Sequence, residues 1–146
     1  MSKTILVPLD GSEVAAAILE QVVALARGYE AHLLLLTVGY PSPSTPPLPG
    51  QTPMIPIFQA EASLQRVRAY LETQGLTVNT MVCLGEPAYE ILDVAERQNV
   101  DLIVINSRGG GGKPWPFLGS VAEAVTRTSA RPVLVLHAQA AEGERA

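Results

Sequence analysis

A doubly wound α/β fold is what this sequence predicts: one domain with a five-stranded parallel sheet, strand order 3-2-1-4-5, and helices on both faces. Three observations carry that expectation. Short apolar runs alternate with longer periodic segments in the order β-α-β-α-β-α-β-α-β, and such alternation calls for right-handed crossovers between parallel strands. The run Leu33-Leu34-Leu35-Leu36 is apolar without interruption, as expected of a strand covered on both sides. Finally, the apolar run Leu102-Ile103-Val104-Ile105 ends abruptly in Asn106-Ser107-Arg108-Gly109-Gly110-Gly111-Gly112. A glycine-rich turn between a strand and a helix is a common feature of such sheets.

Each element has its own signal. Residues 4–9 form the first strand, stopped by Asp10-Gly11-Ser12, a turn or helix-start signal. Val14, Ile18, Val22 and Leu25 recur at helical spacing as far as Arg27-Gly28, where glycine marks the expected end of the helix. Residues 32–38 form the second strand. Seven prolines (Pro41, Pro43, Pro46, Pro47, Pro49, Pro53 and Pro56) then make residues 39–56 a stiffened loop rather than helix or central strand. Long loops inside compact domains are often lids or binding segments.

Ile57, Ala60, Leu64, Val67 and Leu71 mark one face of the second helix, and residues 76–84 the third strand, rich in residues that favour extended chain. Pro87 opens a third helix at the one turn that tolerates proline, with Ala88, Ile91, Leu92 and Ala95 on its buried face. Residues 120–128 read as the fourth helix and Pro132-Val133-Leu134-Val135-Leu136 as the fifth strand. The domain is thus expected over residues 1–137, with 138–146 a flexible tail.

Composition narrows the class. A chain of 146 residues, 47% hydrophobic and 16% charged, has ample material for one core. No apolar run approaches the ~18 residues of a membrane span, and the amino terminus passes directly into a strand with no signal-peptide pattern. A net charge of −4 argues against a nucleic-acid binder. One cysteine, Cys83, cannot form an internal disulfide, which fits a reducing cytoplasm. Cys83, His32 and His137 form no ligand cluster by sequence, so neither a metal site nor Cys–His catalysis is expected.

In the order 3-2-1-4-5 the strand order reverses between the first and fourth strands, and ligands of such sheets bind at that reversal, beyond the carboxyl ends. The two loops with the strongest chemistry, Asp10-Gly11-Ser12 and residues 106–112, follow those two strands. Glycine lets main-chain N–H groups approach an anion closely, and the free amides at the start of the next helix favour negative charge. The bland alternatives are a surface loop, Asp10 capping the first helix with Glu13 in capping-box spacing, and Ser120 capping the fourth. Arg108 and Lys113 are as readily solvated as paired with phosphate. Trp115, between two prolines, reads as a cover for its own loop or a partner.

Two phosphate-binding patterns fail. A Walker A loop requires glycine at position 107 and Ser or Thr at 114, where Ser107 and Pro114 stand. The dinucleotide pattern lacks its third glycine and belongs after the first strand, not the fourth. What matches is Gly109, nine residues, then Gly119-Ser120. With Val7-Pro8-Leu9-Asp10-Gly11-Ser12, Gly85-Glu86-Pro87-Ala88 and Ser129-Ala130-Arg131-Pro132-Val133-Leu134-Val135, the chain resembles the universal stress protein family along nearly its whole length.

That resemblance implies an adenine nucleotide, ATP or else AMP or ADP, with Mg2+ as its counter-ion. The implied contacts are Pro8, Leu9 and Asp10, with Asp10 facing the adenosine, and Val38 lining the base pocket. Asn106, Arg108, Gly109 and Gly110 belong to the loop, and Gly119, Ser120 and Val121 to the helix start, the glycines and Ser120 surrounding the phosphates. Asn106 departs from the pattern, standing where the family has glycine; asparagine accepts positive φ better than most residues. No catalytic residue and no metal ligand is assigned. The resemblance also implies a homodimer through Val133, Leu134, Val135 and Leu136, whose edge position would otherwise expose unpaired backbone. The function expected is a cytoplasmic, nucleotide-binding stress-response regulator with an unidentified protein partner; a slow ATPase and a nucleotide-independent interaction module are the alternatives.

Overall fold

Among the described residues nine elements follow one another: β1 (Lys3–Leu9), α1 (Ala16–Tyr29), β2 (Ala31–Gly39), α2 (Ile57–Thr73), β3 (Val78–Leu84), α3 (Pro87–Arg97), β4 (Leu102–Asn106), α4 (Ser120–Thr128) and β5 (Val133–Leu136). The structure, a computed structural model, describes residues 3–9, 16–39, 57–106 and 119–137, with side chains for all of these except residues 16, 17, 57 and 58. All five strands are parallel and lie in the order β3-β2-β1-β4-β5. The expected fold class is the observed one. Residues 138–146 and the proline-rich stretch lie outside the described residues, except for Gly39, which ends β2.

The four leucines of β2 divide between two cores. Leu33 and Leu35 pack with Ile5 and Val7 of β1, with Ile18, Val22, Val23 and Ala26 of α1, and with Leu64 and Leu71 of α2. Leu34 and Leu36 face the other way, onto Ala88, Ile91, Val94 and Ala95 of α3 and Ala122 and Val125 of α4. Alternate residues of a strand point to opposite faces, so a run with no polar member is what a sheet with two helical layers requires. Among the described residues no helix is long and apolar enough to cross a membrane.

Helix ends are set by a few residues in left-handed backbone. Gly75 (φ 86) ends α2, where Gly75 N–H bonds to Glu72 O and Leu76 N–H to Leu71 O. That is a Schellman closure, and it carries Leu76 back onto the same core as Leu71. Leu76 therefore belongs to the turn, and β3 begins at Val78 rather than at residue 76. Asn99 (φ 52) closes α3 in the same way, with Val100 N–H on Ala95 O and the Val100 side chain fully buried. In α1 the turn residue is Glu30 (φ 53); Gly28 lies within the helix and does not end it.

One arginine fastens the far end of this layer. Arg131 Nε and Nη2 each lie 3.3 Å from the Glu96 carboxylate, while Nη1 donates to Asn99 Oδ1 at 2.9 Å and to the Val100 carbonyl at 3.1 Å. The turn before β5 is shaped by Ser129, whose hydroxyl accepts from Arg131 N–H and donates to Arg131 O. The segment Ser129-Ala130-Arg131-Pro132 thus sets the end of α3 against the start of β5.

Candidate functional site

At the strand-order reversal, β1 and β4 are joined along only part of their length. Their paired register consists of Ile5↔Leu102 and Leu6↔Ile103, although β1 continues to Leu9 and β4 to Asn106. On its other side β1 stays paired with β2 through Leu9↔Thr37, and β4 stays paired with β5 through Asn106↔Leu136. The β1–β4 pairing therefore stops short of the carboxyl end of the two central strands, the end at which a doubly wound sheet receives its ligand.

Pro8 and Leu9 lie on the β1 side of this opening, both half-buried, and Asn106 is the last residue of β4. Val38 is the penultimate residue of β2, half-buried and packed against the α3–α4 core. Beside it Thr37 is 1% exposed, and its hydroxyl has no hydrogen-bond partner among the described residues. Nothing in the residue pattern singled out Thr37; only its position on the ladder and its burial do.

α4 starts from Gly119, which has extended backbone (φ −64, ψ 158) and no side chain to offer a cap. The first intrahelical bond runs from Glu123 N–H to Gly119 O at 2.9 Å. Ser120 is consequently the first helical residue rather than the N-cap, and its side chain is exposed. The contrast is α3, where Glu86 takes the Tyr89 N–H on its carboxylate at 2.8 Å. The α4 amides ahead of Glu123 carry the partial positive charge of a helix start, and Gly119 contributes no side-chain cap to them. Val121 is half-buried in the next position.

Pro8, Leu9, Val38, Asn106, Gly119, Ser120 and Val121 are thus found at carboxyl ends of the central strands or at the start of α4. Asp10, Arg108, Gly109 and Gly110 lie outside the described residues. A second hollow, of about 250 Å³, lies at the opposite, amino-terminal end of the sheet. It is lined by Lys3, Ile5, Tyr29, Asp101, Leu102 and Pro132, and its lining is mainly apolar. There the Lys3 ammonium sits 5.5 Å from the centre of the Tyr29 ring. Among the described residues, no group of three or more His, Cys, Asp or Glu is placed to hold a metal ion.

A model of the universal stress protein family matches residues 1–137. The chain belongs to the universal stress protein family. Universal stress protein MJ0531 of Methanocaldococcus jannaschii is 32% identical over 138 residues, covering 92% of this chain and 81% of that one. The solved structure of MJ0577, from the same organism, superposes with a TM-score of 0.74 at 28% identity, over 97% and 99% of the two chains. Two more distant solved members share the fold with a TM-score of 0.68. One, in complex with cAMP, is 23% identical over 93% of this chain and 97% of its own. The other, from Archaeoglobus fulgidus in complex with dAMP, is 22% identical over 91% and 96%.

Proposed function

We propose that this protein binds an adenine nucleotide in the crevice between β1 and β4 and works as a homodimeric stress-response regulator. The observation that carries the reading is the early end of the β1–β4 pairing at Leu6↔Ile103; α4, whose N-cap Gly119 makes no side-chain cap bond, supplies the helix-start amides. A crevice open to main-chain groups on one side and to helix amides on the other suits a ligand with a polar base and an anionic tail. The family supports the same ligand class, since proteins of this fold have been solved with cAMP and with dAMP bound.

In this reading the base lies against Val38, Asp10 faces the adenosine, and Gly109, Gly119 and Ser120 surround the phosphates, with Arg108, Gly110 and Val121 beside them. Pro8, Leu9 and Asn106 form the walls. ATP is the expected ligand, with AMP and ADP as shorter occupants and Mg2+ accompanying the longer phosphate chain. Binding would act through the assembly: β5 is a sheet edge, and its Leu134 is 37% exposed. Two copies joined at Val133–Leu136 would cover that edge. The single cysteine suits a reducing cytoplasm.

Titration calorimetry with ATP, AMP and CTP tests the ligand. Saturable binding of the two adenine nucleotides at micromolar affinity, about 8 kcal/mol, with CTP much weaker, is the expected result. Equal or absent binding of all three refutes it.

A further inference from the structure

We propose that Pro8 is the positioning residue of this crevice: by withholding one main-chain donor it stops β1 from zipping onto β4 and keeps the ligand's place open. The proposal rests on the nucleotide reading above and adds the cause of the opening. The main chain of Thr4 is turned towards the β4 side, since its N–H donates to the Asp101 carboxylate at 2.8 Å and its carbonyl accepts from Asp101 N–H at 2.9 Å. Main-chain groups of successive strand residues turn to opposite neighbours, so Leu6 and Pro8 also face β4, while Ile5, Val7 and Leu9 face β2.

The observed rungs follow from that alternation. Ile5↔Leu102 and Leu6↔Ile103 both use the Leu6 N–H as donor towards the Leu102 carbonyl. The next two rungs, Val7 against Val104 and Pro8 against Ile105, would both need a donor at residue 8 towards the Val104 carbonyl. The proline nitrogen carries no hydrogen, and the register stops at the rung before it. The β1–β2 side loses nothing, because Pro8 does not face it, and that ladder runs on through Pro8↔Leu36 to Leu9↔Thr37. Proline in a central strand ordinarily weakens a sheet; here one of its two ladders is interrupted and the other is intact. The interruption falls at the reversal of strand order and at the carboxyl end, on the residues flanking the proposed ligand.

Restoring the donor tests this. Pro8→Ala and Pro8→Ser supply the N–H with different side chains, so an effect common to both belongs to the main chain. In each ligand-free variant the residue 8 amide is expected to be protected from hydrogen exchange, with an unfolding midpoint equal to or above that of the wild type. AMP is expected to bind both about fivefold to tenfold more weakly, because forming the rung competes with the open state. An unprotected residue 8 amide, or AMP affinity in both variants equal to the wild type, overturns the proposal. Failure of the wild type itself to bind AMP instead refutes the nucleotide reading, and a protected amide in the variants then still establishes what Pro8 does to the ladder.

Discussion

Thr37 and Leu9 stand opposite each other on the last rung joining β1 to β2, and the Thr37 hydroxyl there is sealed from solvent with no hydrogen-bond partner among the described residues. Burying an unsatisfied hydroxyl costs stability, and an isosteric apolar side chain removes that cost. Thr37→Val should therefore raise the ligand-free unfolding free energy by about 1 kcal/mol, or roughly 2–4 °C in Tm. Urea unfolding of the two proteins decides it: a lower midpoint in the variant would mean that the hydroxyl is bonded in solution.

Arg131 and Arg127 both pair with glutamate, and the structure sets very different values on them. Arg127 meets Glu123 one helical turn away at 2.6 Å, and both side chains are well exposed. Arg131 is 25% exposed and ties Glu96, Asn99 and the Val100 carbonyl at once. Arg131→Ala is expected to cost about 1–2 kcal/mol through the unpaired Val100 carbonyl and the loosened α3 end. Arg127→Ala should stay within about 0.5 kcal/mol of the wild type. Equal losses, read from denaturant midpoints, would contradict the distinction.

Burial pushes the Cys83 thiol above its ordinary pKa; the Glu90 and Asp93 carboxylates add to the rise and Arg97 opposes it. The thiolate is thus disfavoured more in the folded chain than in the unfolded one. The contribution of Cys83 to stability is complete below the ordinary thiol pKa, about 8.5, and is lost as pH rises towards the folded-state value. Wild-type stability should fall more between pH 7 and pH 10 than that of Cys83→Ala. Matching pH profiles for the two would show that the thiol is not perturbed.

Leu134 offers an apolar side chain on an edge strand, and the proposed dimer would cover it. Leu134→Lys places a charge on that edge, the device by which natural sheets prevent pairing. Sedimentation at micromolar concentration should show the wild type at twice the 15.5 kDa chain mass and the variant at the single mass. Monomeric wild type at that concentration refutes the dimer.

Sequence pattern conveyed the layers better than the joints. The uninterrupted leucines of β2 and the proline at the head of α3 each report a local constraint, so element type and order could be read directly. The bounds of α4, residues 120–128, could be read as well, but the ends of α1 and α3 could not, because a left-handed turn can be made by Glu30 or Asn99 as well as by glycine. Helical spacing put Leu92 on the buried face of α3, whereas Val94 and Val100 are fully buried and Leu92 only partly so. Val100 is buried through the Schellman turn, which periodicity does not see. The site was legible as two loops after two strands. The unfinished β1–β4 ladder was not, since it depends on which way the main chain of Pro8 faces.

The Leu33–Leu36 run has a consequence for how β2 finds its place. A slip of one residue would still bring leucine to leucine at the centre of both cores, so hydrophobicity in the middle of this strand cannot choose the correct alignment. The choice falls to the boundaries: His32, which is exposed, and Thr37, which ends the apolar run beside Leu9. Lengthening the run of leucines at either boundary would erase those marks, making the chain greasier and its alignment less certain at the same time.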